Sequence, residues 1–149
     1  IEATFEVRTA LECLAAEKAV ARAGMADLAK LDALLAVLRQ PVSSPDAMRR
    51  HERANSDFHQ LLIEIAGNKR LAEIYTGLNA HLTIARIHAS EQSTRAPENL
   101  DRRFAIQQAE HEEIVAALRA RDLPRMQSAL KKHITRAQQS LIDAVKDTP

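Results

Sequence analysis

Apolar side chains recur along this chain at intervals of three, four and seven residues, with polar and charged residues between them. That is the period of helices burying one face. Sparse breaks divide the pattern into six stretches. The first carries Val7, Leu11 and Leu14 beside Phe5, Ala15 and Ala19. The second carries Leu28, Leu31, Leu34, Leu35 and Leu38, and the third Phe58, Leu61, Leu62 and Ile65. In the fourth the stripe is Leu71, Ile74, Tyr75, Leu78 and Leu82. The fifth shows Phe104, Ile114, Val115 and Leu118, and the sixth Met126, Leu130, Ala137, Leu141 and Ala144.

The breaks carry their own chemistry. Gly24 interrupts first. Pro41 to Pro45 predicts a loop with Ser44 as N-cap and Pro45 at the first helical position. Gly67-Asn68 is a left-handed helix end. Ser90 to Pro97 is a polar break, and Asp122-Leu123-Pro124 supplies another N-cap. One-sided helices with short connections must pack on one another. The prediction is an all-α antiparallel bundle of about six helices, one domain over residues 1–149.

Composition excludes the main alternative. Three glycines, no tryptophan and 3% aromatics cannot furnish the turns and strands of a β domain. A formal charge of +1 is not the footprint of a dedicated nucleic-acid binder. A single cysteine, Cys13, excludes an internal disulfide and a cysteine-based zinc cluster, and its place among alanines and leucines predicts packing. No apolar run approaches the roughly 20 residues of a membrane span, and no signal segment opens the chain. The expectation is a soluble cytoplasmic protein without a membrane partner. Residue 1 is Ile rather than Met, so a piece of a longer protein is expected.

Three of the six histidines occupy positions where leucine is expected. His111 lies seven residues after Phe104 and seven before Leu118. His133 lies seven after Met126 and three after Leu130. His59 follows Phe58 at the edge of the third stripe, and Asn55, four residues earlier, shares its face. Buried imidazoles need partners. One divalent metal would satisfy all three, and bundles can build such a site from facing helices. The alternative is three separately hydrogen-bonded core histidines; spacing leaves both readings open.

Other signatures are absent or weak. No Glu-x-x-His pair exists, and His111 lacks the second histidine of a zinc-protease helix. His51 and His88 fall near helix ends among polar residues, which predicts solvated rings. His81, three after Leu78 and seven after Ile74, is a second-rank candidate for a pocket. Arg8 lies four residues before Glu12. That spacing suits a local salt bridge, and equally a guanidinium turned into a pocket to bind a carboxylate.

Four motifs in order resemble the FCD domain, the effector-binding C-terminal domain of FadR-subfamily GntR-type bacterial transcription regulators. They are Phe5-Glu6-Val7-Arg8-Thr9-Ala10-Leu11-Glu12, then Asn55-Ser56-Asp57-Phe58-His59 running to Ala66-Gly67-Asn68, then Glu110-His111 with Ala116-Ala117-Leu118, then His133-Ile134. The resemblance covers nearly the whole chain. It implies a metal held by Asn55, His59, His111 and His133, zinc or nickel by its nitrogen ligands. Asn55 departs from the family pattern, which has Asp there, and brings no charge. The resemblance also implies a small carboxylic acid effector contacted by Arg8, a homodimer, and DNA binding through an N-terminal winged helix-turn-helix domain outside this sequence. Two other readings compete: a metal-dependent hydrolase, and a metal-free helical dimerisation module. The expectation is a regulatory domain and not an enzyme, because Glu112 and Glu113 point off the face of His111 and no general base stands on it.

Overall fold

The structure, a computed structural model, describes residues 1–92 and 97–147. Among these are six helices: α1 (Glu2–Arg22), α2 (Met25–Leu38), α3 (Pro45–Ile65), α4 (Lys69–Gln92), α5 (Pro97–Arg119) and α6 (Leu123–Lys146). No strand occurs among the described residues. The all-α bundle expected from the sequence is the observed fold.

The capping residues act as their chemistry dictates. Ser44 Oγ accepts the Ala47 N–H at 3.1 Å, and Asp122 Oδ1 accepts the Arg125 N–H at 3.1 Å. Each satisfies an amide that the first helical turn leaves without a partner. Gly67 ends α3 at a φ of 71°, a backbone that side chains with a Cβ resist. The break expected from Ser90 to Pro97 sits later than predicted at its start, since α4 continues through Ser90 to Gln92. Residues 93–96 lie outside the described residues.

α1 is the hub. It packs against α3, α4, α5 and α6, while α2 covers α3 and α5. Ala15, Ala16 and Ala19 are buried on α1, and their small side chains let neighbouring helices approach closely. Arg121 ties the α5–α6 turn to the end of α1, donating to the Val20 and Ala23 carbonyls at 2.6 and 2.8 Å.

Two predicted stripes are rotated. Val7 and Leu14 are 49% and 42% exposed, and the inward positions of α1 are Phe5, Arg8, Glu12, Ala15 and Ala19. On α4, Ile74 is 53% exposed, while Tyr75, Asn79 and Leu82 face inward. The reason is the same in both helices. Polar residues fill inward positions, so a stripe drawn through apolar residues alone misses the buried face.

Candidate metal and effector site

α3 supplies Glu52, Asn55 and His59, α5 supplies Glu110 and His111, and α6 supplies His133 and Arg136. α1 adds Arg8 and Glu12; α4 adds Tyr75 and Arg86. His59, His111 and His133 are buried together, and one ring nitrogen from each lies within 4.8 Å of the others. Phe58 packs behind them, its ring 4.7 Å from that of His111.

Glu12 organises the floor of this cluster. Its Oε1 accepts from Arg8 Nε at 2.8 Å and from the Tyr75 hydroxyl at 2.5 Å. Its Oε2 lies 2.9 Å from His59 Nδ1. Burial alone would raise the Glu12 carboxyl; His59 and Arg8 reverse this and hold it well below the usual range. Burial also disfavours the charge on Arg8, but Glu12 outweighs it and the guanidinium is held firmly protonated. Burial and the adjacent Glu12 push the Tyr75 hydroxyl up, so it remains a donor.

A carboxylate at Nδ1 of His59 places the proton on that nitrogen and turns the Nε2 lone pair inward. Nε2 meets His133 Nε2 at 3.1 Å. His133 Nδ1 stands 3.6 Å from Glu110 Oε1, the oxygen that Arg136 Nε also engages. Burial, then the other histidines, pushes His111 and His133 well below the usual imidazole range. Burial also lowers His59, against the pull of Glu12. The rings of His111 and His133 are therefore neutral near pH 7 and offer lone pairs.

The residues fit a divalent metal. Both ring nitrogens of His111, Nδ1 of His133 and Oδ1 of Asn55 are buried without a hydrogen-bond partner. Orphaned polar atoms of this kind are rare in folded proteins. Two nitrogens bound at right angles to one ion at about 2.1 Å are about 3 Å apart, which is the spacing of His59 and His133. The carboxylate of Glu12 behind His59 is the usual support of a metal-ligating histidine.

A cavity opens beside the cluster. Arg8, Glu52, Asn55, Arg86 and His133 are among its polar lining, and Leu100, Phe104, Ala137 and Leu141 among its apolar lining. Arg8 makes the local salt bridge with Glu12 and also lines the cavity. Its Nε pairs with Glu12, while Nη1 and Nη2 have no partner.

Two histidine expectations are corrected. His81 is exposed and does not line the cavity, because the inward register of α4 runs through Tyr75, Asn79 and Leu82. His51 is buried rather than solvated, edge-on to Phe104 at 4.6 Å between ring centroids. His88 is exposed as expected. Sequence reasoning missed Tyr75, Arg86 and Glu52 as site residues and saw Glu12 only as a partner for Arg8. The available signal was that Glu12 and Arg8 share a helical face with Phe5 and Ala15.

Among curated proteins, none matches the sequence significantly. The fold is similar to that of a solved structure of E. coli McbR/YncC, with a TM-score of 0.80 at 21% identity, over 95% of this chain and 67% of that one. The FCD domain model matches residues 3–136. With the match spanning nearly the whole chain, the protein belongs to the FCD domain family.

Proposed function

We propose that this chain is the effector-sensing domain of a GntR-type transcription regulator, acting in the cytoplasm as a homodimer. It takes a small carboxylic acid in the bundle cavity, beside a divalent metal held by His59, His111 and His133 with Asn55, zinc or nickel by its donors. DNA is contacted by an N-terminal winged helix-turn-helix domain of the full-length protein. One observation carries the reading: His133, Asn55 and Arg8, each with a buried polar atom that has no hydrogen-bond partner, line one cavity, and His133 belongs to the three-histidine cluster.

A bound ion would offer the effector's oxygens a Lewis-acidic anchor. The chain's own residues do the rest. Glu12 fixes the tautomer of His59 and the orientation of Arg8. Arg8 presents paired N–H donors to a carboxylate. The apolar lining at Leu100 and Phe104 accommodates a short carbon skeleton. Arg8 belongs to α1, which touches four other helices, so a change at the cavity reaches the rest of the bundle through one rigid element. The effector acts only as far as it binds the two states of the dimer unequally.

The dimer reading draws support from the outward face of α4. Ile74 and Ile84 are 53% and 67% exposed there, and a Cβ at Gly77 between them would meet no atom within 4 Å. The enzyme reading has less support. Arg8 and Arg136 engage the carboxylates at the cluster, Glu12 and Glu110. Glu112 and Glu113 are exposed and paired with Arg39 and Arg125.

A thermal-shift screen of small organic acids against zinc- or nickel-loaded chain tests the reading, since a ligand of the native state raises Tm. At least one acid raises Tm by several degrees beyond the metal alone. If no acid does so, the proposal fails.

A further inference from the structure

Arg86 is the feature that the site as described leaves unused. It lines the cavity from α4, as Arg8 does from α1, and its side chain is 11% exposed. Its Nη2 lies 3.4 Å from Thr83 Oγ1. Its Nε is 3.3 Å from Glu52 Oε2, yet neither atom of that pair makes a hydrogen bond, and Nη1 has no partner either. The ion pair neutralises charge without meeting the donors. Guanidinium keeps its charge under any physiological condition and carries five N–H groups in a planar fork. Leaving that fork buried and unmet is costly, and a bidentate carboxylate meets it best.

The charge of the wall points the same way. Arg8, Arg86, Arg103 and Arg136 line the cavity, with Glu52 the carboxylate among the lining residues. With Glu12 and Glu110 behind the wall included, four arginines face three carboxylates, an excess of one that a divalent ion at the histidines would raise to three. With that ion bound a monoanion would leave two positive charges over, and it answers one guanidinium fork where Arg8 and Arg86 present two. Arg8 and Arg86 reach the cavity from different helices, so one ligand with two separated anionic groups can satisfy both.

We propose that the effector is a short dianionic acid, and that Arg86 binds its second anionic group while Arg8 and the histidine site take the first. This rests on the acid-sensing reading above and specifies its ligand class.

Isothermal titration of the zinc-loaded chain with matched acids tests it. The pairs are succinate against butyrate, malate against 2-hydroxybutyrate, and 3-phosphoglycerate against glycerate. In at least one pair the acid with two anionic groups binds about tenfold tighter, and which pair shows it tells carboxylate from phosphate as the second group. Arg86→Met brings the ratio within that pair close to one. The double variant Arg86→Met/Glu52→Gln repeats the measurement without a stranded carboxylate, and circular dichroism checks that both variants fold. If monoanions bind as tightly as dianions in every pair, the inference is wrong while acid sensing stands. A dianion preference that survives both variants removes Arg86 from the assignment. If no acid of any pair binds, the acid-sensing reading falls and this inference falls with it.

Discussion

The Nε2 atoms of His59 on α3 and His133 on α6 face each other at 3.1 Å, with their rings within 13° of parallel. Two neutral imidazoles can share one proton across such a gap, but this uses only one nitrogen of His133 and none of His111. Both nitrogens of His111 have no partner. The unmet capacity of His111 separates a metal site from a set of satisfied core histidines.

His111→Leu turns that into an expected outcome. In the metal-free chain the substitution removes an unsatisfied buried imidazole and raises unfolding stability by about 1 kcal/mol. In the same variant, zinc or nickel no longer raises Tm, whereas the parent gains several degrees. Urea denaturation of chelator-treated protein and a metal titration followed by Tm measure the two halves. A loss of stability in the metal-free variant would mean that His111 is a satisfied core group.

Glu12 should couple stability to metal affinity. It accepts from Arg8 and Tyr75 and orients His59. Glu12→Gln strands the buried guanidinium and lowers stability by about 3 kcal/mol. It also weakens metal binding by about 10–100-fold through the lost orientation of His59. Tyr75→Phe deletes one hydrogen bond to a charged acceptor and lowers stability by about 2 kcal/mol. Chemical denaturation and competition with a chromophoric chelator read these effects separately. Equal metal affinity in Glu12→Gln would detach Glu12 from the site.

Asn55→Asp probes the fourth position. Asn55 Oδ1 is buried and unpartnered, and the residue borders the cavity with His133. A carboxylate there adds a negative charge that a bound cation rewards. The variant binds zinc at least about tenfold tighter, equivalent to about 1.4 kcal/mol. Unchanged zinc affinity would place Asn55 outside the coordination.

His51 predicts a pH dependence. Burial pushes its pKa down to about 4 from the ordinary 6.5. The unfolded chain therefore takes up the proton first as pH falls, and native stability drops between about pH 6.5 and pH 4. Above pH 6.5 this contribution is constant, and below pH 4 it levels off. The full effect is up to about 3 kcal/mol. His59, His111 and His133 shift in the same direction, so the comparison is between the parent and His51→Gln, both metal-free. The variant shows a shallower loss of denaturation midpoint over that window. Parallel pH profiles would show that His51 does not titrate on unfolding.

The helices and their ends were legible in the chain because their signals are local. Ser44, Gly67 and Asp122 act through atoms within a few residues, and the apolar period needs only the neighbouring turns. The three histidines were legible as core-facing because each keeps register with leucines and a phenylalanine on its own helix. Arg8 and Glu12 were visible as a pair, but not as a buried one. Their burial displaces Val7 and Leu14 to the surface, and nothing in the α1 sequence announces that. The same shift on α4 put Ile74 and His81 outside and made Arg86 a residue of the cavity wall.

Sequence alone determined that this is a helical bundle of the FCD kind, because periodicity, caps and four ordered motifs are properties of residues close in the chain. Tertiary structure decided what those helices build between them. Glu12 meets His59 across 47 residues, and His59 meets His133 across 74. Arg8 and Arg86 share one cavity wall from α1 and α4. Such meetings depend on how each helix is rotated about its axis. That rotation is set by the packing of the whole core, where a buried charge is tolerated only if a distant partner arrives to meet it.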